Sequence, residues 1–404
     1  MVVQLFGFAY AWFRYDSRVA ILTFLLLLYG PAAALANLSF GSVTLPLGSA
    51  VALLGILYTS KCAISKHLFY YAAILVSTCI MIAIINFDLY ILVMTTHFLI
   101  YALCGLMVGN FIASRPEPVR DAFLKAFCTL GSLGFLCVIV FRMFLVDGTG
   151  QIHSRDVGFG MLPIFVLFLT ILNNRGLSLQ TAPSLLYLGM SQTRSLLGVL
   201  VIGFIYGRKL LGFNKHNFLF LVSSVFGIVA LVLLMSLRFE GQSDAVGAEA
   251  DFAQKLSLVS RINGAVNEWD TFKASPIIGK GIAYYEKAYR EKKAAEKKGV
   301  TSIDSVAYNH VGIISVAAQG GIALFILVIG VPLYLIIKLR PVMAGAKDKI
   351  FVACFLILVC YVITFFVSGS PVRKDYNDAL LYYFVIGYLM RHWSSLKAVE
   401  KSTW

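Results

Sequence analysis

Apolar runs, many close to the length of a bilayer-spanning helix, alternate with short polar breaks along almost the whole chain. A run of about 20 apolar residues crosses the hydrocarbon core of a bilayer. The pattern predicts about twelve spans, near 19–36, 44–60, 67–86, 88–113, 121–146, 156–174, 178–190, 193–207, 215–238, 310–337, 349–369 and 376–391. Several are short or broken. Gly30-Pro31 predicts a kink in the first, and Ser191-Gln192-Thr193-Arg194-Ser195 separates two short spans. The predicted fold is an all-α polytopic membrane protein. Its sections are 1–238, with nine transmembrane helices; 239–309, a large polar loop; and 310–404, with three more helices and a tail.

The loop has its own pattern. A helix is predicted over Phe252 to Phe272, because Leu256, Val259, Ile262, Val266 and Trp269 recur at helical spacing and one face must pack on something. Ser275-Pro276 ends it, and Gly279-Lys280-Gly281 follows as a turn. Tyr284 to Lys298 reads as a second, highly charged helix with a solvated face.

Composition supports the membrane reading. Only 13% of the residues are charged, against about 25% in an average soluble domain. The net charge of +14 follows topology rather than a nucleic-acid partner. Alternate loops hold Arg14 and Arg18, Lys61 and Lys66, Arg115 and Arg120, Arg208 and Lys209, Lys338 and Arg340, and Arg391 and Lys397. That asymmetry places both termini in the cytoplasm and the large loop outside. The first span lacks a small-residue cleavage site and is expected to remain as an anchor. The seven cysteines sit in or beside spans, without metal-ligand spacing, and read as small buried apolar residues. No cofactor is expected.

Few polar residues stand out against this background. Arg142 lies near the outer end of the fifth span, where it either snorkels to the interface or lines a cavity. Ser191 can cap the helix that follows, which places Arg194 in its first turn. A cation prefers the other end of a helix, and the unpaired N–H groups at this end favour an anion. Arg194 therefore points to a negative ligand, or else to lipid phosphates. Arg261 lies in the loop helix beside its apolar face. Asn309 can cap the tenth span and place His310 in its first turn, where a neutral imidazole is favoured. A neutral imidazole serves as a general base or as a structural interface residue. Glu249-Ala250-Asp251 reads as acidic residues before a helix start rather than as a metal site. Two arginines beside positive helix ends make a site for a diphosphate held by charge-assisted bonds.

At these residues the chain resembles the O-antigen ligase and polymerase superfamily of the bacterial inner membrane. The resemblance rests on Ser191-Gln192-Thr193-Arg194-Ser195; Ser260-Arg261-Ile262 with Trp269; Pro276-Ile277-Ile278-Gly279-Lys280-Gly281; and His310 leading into Gln319-Gly320-Gly321. It covers roughly residues 160–335. Where the family often has an asparagine directly after the histidine, Asn309 precedes His310 here and Val311 follows it. The resemblance implies a GT-C-like, inverting, metal-independent glycosyltransferase. The donor is a polysaccharide on undecaprenyl diphosphate, the acceptor is lipid A-core oligosaccharide, and the active site faces the periplasm. Arg194 and Arg261 would hold the donor diphosphate, His310 would be the general base, and Arg142, Asn309, Ser191 and Trp269 would support them. An O-antigen polymerase of the same superfamily is the nearest alternative. A lipid-linked sugar flippase fits less well, because no internal repeat is evident.

Overall fold

Short polar side chains set the ends of the helices. In this computed structural model, which describes residues 37–40, 43–60, 62–145, 161–174, 178–190, 194–211, 264–285, 287–288, 312–343, 345–367 and 376–402, three caps are explicit. Ser65 accepts from the Leu68 N–H at 3.4 Å and opens α2. Asp88 Oδ1 accepts from Tyr90 and Ile91 and opens α3. Asp348 Oδ1 accepts from Ile350 and Phe351 and opens α11. Each side chain satisfies amides that a helix N-terminus leaves without an intrahelical partner.

The element order is β1 (Asn37–Phe40), β2 (Val43–Pro46), α1 (Leu47–Thr59), α2 (Lys66–Ile85), α3 (Leu89–Ala113), α4 (Glu117–Leu145) and α5 (Leu162–Asn174). A 3₁₀ turn (Leu179–Thr181) leads into α6 (Ala182–Met190), followed by α7 (Arg194–Gly207) and the loop helix α8 (264–274). The last section comprises α9 (Gly312–Phe325), a π-helical turn (Ile326–Gly330), α10 (Val331–Met343), α11 (Lys349–Val367) and α12 (Tyr376–Ser402).

Among the described residues the elements are helical apart from one antiparallel hairpin, in which Asn37 pairs with Pro46 and Phe40 with Val43. That hairpin corrects the expected span 44–60, whose first residues are a strand and whose helix starts at Leu47. The expected spans 19–36 and 215–238 fall outside the described residues, 310–337 takes in α9, the π-helical turn and the start of α10, and each of the others overlaps a helix over its described residues. Five described helices are long and apolar enough to cross a membrane by length and composition. All seven cysteines are free, and Cys79, Cys104, Cys128, Cys354 and Cys360 are buried.

Close packing between α3 and α12 forms the centre of the bundle. Lipid tails are as apolar as leucine, so such packing must come from shape rather than from water exclusion. Small residues supply it. A Cβ on Gly105 would lie 2.4 Å from the Leu380 carbonyl oxygen, and one on Gly109 2.1 Å from that of Phe384. On the facing helix a Cβ on Gly387 would lie 2.3 Å from the Leu106 oxygen. No side chain fits at these three crossings.

Contacts sort to two opposite ends. At one end Asp348 binds Arg120, accepts from the Tyr388 hydroxyl at 2.8 Å and lies 3.2 Å from His392 Nε2. Burial pushes the Asp348 carboxyl up, but His392, Tyr388 and Arg120 outweigh it and leave the group below the usual carboxylate range. His67 meets Ser394 at the same end. At the other end, the Asn86–Asp88 turn between α2 and α3 meets the large loop.

Candidate functional site

α9 does not run straight through. Gly321 has φ 62° and ψ −167°, so the helix breaks there. A broken helix inside a bilayer leaves carbonyls and amides that water cannot satisfy, and such backbone is tolerated only where protein covers it. The loop covers it. The Lys280 N–H donates to the Ala318 carbonyl at 3.0 Å, and the Gly281 N–H to the Gln319 carbonyl at 2.9 Å. In return the Ile322 N–H donates to the Pro276 carbonyl at 2.8 Å. Two of the sequence motifs, Pro276–Gly281 and Gln319–Gly321, are therefore halves of one interlocked unit.

The glycines make this approach sterically feasible. Gly279 and Gly281 have φ of +74° and +103°, in the region that favours glycine, which confirms the expected turn. A Cβ on Gly279 would sit 2.4 Å from the Gln319 carbonyl, and one on Gly321 2.2 Å from that of Ile277.

Polar side chains then lock the turn to the bundle. Ser275 Oγ donates to the Gly279 carbonyl at 3.0 Å, and Asn86 Nδ2 reaches the same oxygen at 3.3 Å. Lys287 Nζ lies 2.7 Å from Asp88 Oδ2. The Lys287 hydrogen bond holds the Asp88 carboxyl below its ordinary range. Buried Gln319 accepts from the Ala283 N–H through Oε1 at 2.8 Å and donates through Nε2 to Ser315 Oγ at 2.8 Å. Burial pushes the nearby Tyr285 hydroxyl up.

Of the residues singled out from sequence, Trp269 is placed on α8, with its ring 5.4 Å from that of Phe272. It is 50% exposed, and Val266 is 52% exposed. Val266 and Trp269, the two described residues of the predicted apolar stripe, are thus half exposed, while Glu268 between them in sequence is buried. The expected packing of that face is only partial at Val266 and Trp269, and Leu256, Val259 and Ile262 lie outside the described residues. Helical spacing shows which residues share a face, not whether the face meets protein or lipid. Arg194 is the first residue of α7, at the helix start expected for it, and Arg142 lies within α4; the side chains of both are outside the described set. Ser191, Arg261, Asn309 and His310 also lie outside the described residues. Sequence reading overlooked Asn86, Asp88 and Lys287 as anchors, and it quoted Gln319 only as part of a motif. An amide in an apolar run was the available signal for Gln319.

The family model described as O-antigen ligase matches residues 179–329. The matched stretch starts at the turn before α6 and ends in the π-helical turn, so it contains Arg194, Arg261, His310 and both interlocked motifs. It agrees with the resemblance read from the sequence. No curated protein matches the chain.

Proposed function

We propose that this protein, whose residues 179–329 match the O-antigen ligase family, is an inverting, metal-independent glycosyltransferase. Its donor is a polysaccharide on undecaprenyl diphosphate. Its acceptor is a hydroxyl of lipid A-core oligosaccharide, and its active site faces the periplasm. The observation that carries this reading is the family match across all the chemistry-bearing motifs, Arg194 and His310 included. The union of two of those motifs into one unit supports it.

Each residue has a physical task. Sugar transfer to an alcohol builds negative charge on the departing diphosphate. Arg194 and Arg261 hold and neutralise it with fixed donors, where excluded water leaves such donors most effective. His310 removes the acceptor proton, and a positioned base contributes about 10²–10⁴-fold. Arg142, Asn309, Ser191 and Trp269 are the supporting set. The described part of the large loop lies at the end of the bundle opposite Arg120, Asp348 and His392, and by the cation bias of the sequence that end is periplasmic.

The test is an in vitro transfer with purified full-length protein, lipid-linked polysaccharide and rough lipopolysaccharide, run with and without chelator. Polysaccharide on the lipid A-core, at equal rate in chelator and lost in His310→Ala, is the expected result. Transfer only to a second lipid-linked repeat would make the protein a polymerase. Wild-type rates in His310→Ala would remove the base.

A further inference from the structure

We propose that Gln319 is a positioning residue, which clamps the 276–285 turn to α9 and so fixes the loop that carries Arg261 relative to the helix that follows His310. The proposal rests on the functional reading above for what is being positioned; the clamp itself rests on contacts.

Gln319 is 2% exposed, and both ends of its amide are engaged. The Ala283 N–H can only donate, so Oε1 must face it and Nε2 must face Ser315. The Gln319 carbonyl takes the Gly281 N–H as well, so one residue binds the turn through backbone and side chain together. Ala283 has φ +64°, which makes it the one non-glycine residue with positive φ among the described residues. Such a conformation persists where the surroundings over-determine it. The Gln319 acceptor on the amide of Ala283 supplies that constraint. Without it, Ala283 has a lower-energy backbone to relax into, and the turn shifts.

The chain order gives this constraint its consequence. α8 enters the turn directly at Ser275, and Arg261 precedes its first described residue by three positions. His310 precedes Gly312 by two positions, and Gln319 lies about two helical turns further along α9. The turn is thus the described junction between the segment that carries the donor-binding arginine and the helix that follows the base in the chain. None of its clamping atoms is needed to touch a substrate.

The substitutions that isolate this role are Gln319→Met and Gln319→Glu in the full-length protein. Methionine keeps length and volume but cannot accept from the Ala283 N–H. Glutamate keeps the acceptor, and the Ser315 hydroxyl can turn to donate to it. In the transfer assay, kcat of Gln319→Met is expected to fall about tenfold or more, with KM for donor and acceptor nearly unchanged, because small misplacements of reacting groups cost up to about 10²-fold. Gln319→Glu should restore most of the rate. Hydrogen exchange at 276–285 should quicken in the methionine variant alone, while α11 and α12 keep wild-type protection. Wild-type kcat in Gln319→Met, no rescue by glutamate, or a uniform rise in exchange across the bundle would overturn the proposal. His310→Ala run in parallel separates the two claims. If it retains transfer, the functional reading fails, while exchange at 276–285 still decides whether the clamp exists.

Discussion

Ile322 gives its amide to the carbonyl of Pro276 at 2.8 Å, across the point where Gly321 breaks α9. The bond joins residues on either side of the stretch that holds His310, and it is one of three backbone bonds by which the loop repairs a discontinuous helix. Loop and helix break therefore form together. A loop that left would expose unpaired backbone in an apolar setting, at several kcal/mol per group.

Substitution at the break follows from this. Gly321→Ala forces a Cβ into Ile277 in a backbone that L residues rarely adopt, and is expected to cost about 1–3 kcal/mol. Gly198→Ala is the control, since a Cβ there meets nothing within 4 Å and alanine gains up to about 1 kcal/mol in a helix. Thermal unfolding in detergent should show a clear drop for Gly321→Ala and none for Gly198→Ala.

The Asp88–Lys287 pair makes anchoring of the loop sensitive to acid. Lys287 holds the folded Asp88 carboxyl below its ordinary range. The group therefore contributes stability above the unfolded carboxylate pKa of about 3.9, and loses it as pH falls through the lower folded value. Both partners are more than a quarter exposed, so the pair itself is worth about 0–1 kcal/mol, while the α3 cap adds about 1 kcal/mol. Asp88→Ala should unfold at a lower temperature than wild type by a constant margin at neutral pH, and the margin should shrink below about pH 4. A margin that grew in acid would refute the sign.

The ends of α2 and α3 were legible because apolar runs stop at polar residues such as Ser65, Asn86 and Asp88, all three of which cap helices. The break at Gly321 was not, because Gln319-Gly320-Gly321 sits inside one apolar run and reads as helix until the loop arrives from some 40 residues upstream. The positive φ of Ala283 has no sequence signature at all, since the Gln319 side chain that accepts from its N–H lies 36 residues further along the chain. Arg194 at a helix start was legible from the Ser-Gln-Thr break before it, and the expected meeting of Arg194, Arg261 and His310 lies outside the described residues. The glycine pair at 105 and 109 was visible as a spacing, but hydropathy alone gives small residues no packing role.

That pair yields the next expectation. Gly109→Ala must push α12 away from α3, because the new carbon would lie 2.1 Å from the Phe384 oxygen. Neither backbone can yield locally, and overpacking of this kind typically costs about 1–3 kcal/mol. Gly134→Ala on α4, where a Cβ meets nothing within 4 Å, should be silent. Equal unfolding temperatures for the two variants would contradict the packing described for this crossing.

The arginine roles make a sharper demand than loss of charge. Lysine keeps the positive charge at Arg194 or Arg261 but replaces a planar fork with a point charge on a flexible stem. If the arginines hold a diphosphate through paired bonds, Arg194→Lys and Arg261→Lys should each lower transfer about tenfold or more, since one lost charge-assisted hydrogen bond is worth about 1.5–3 kcal/mol. If they only raise the local potential for lipid phosphates, lysine should serve nearly as well, and the two arms separate when the salt dependence is measured. A clamp gives a rate deficit that persists at every ionic strength, because fixed geometry is not screened. A diffuse field gives lysine variants that match wild type in low salt and, like wild type, weaken together as salt rises. The clamp therefore stands or falls on the rate ratio between arginine and lysine at low ionic strength.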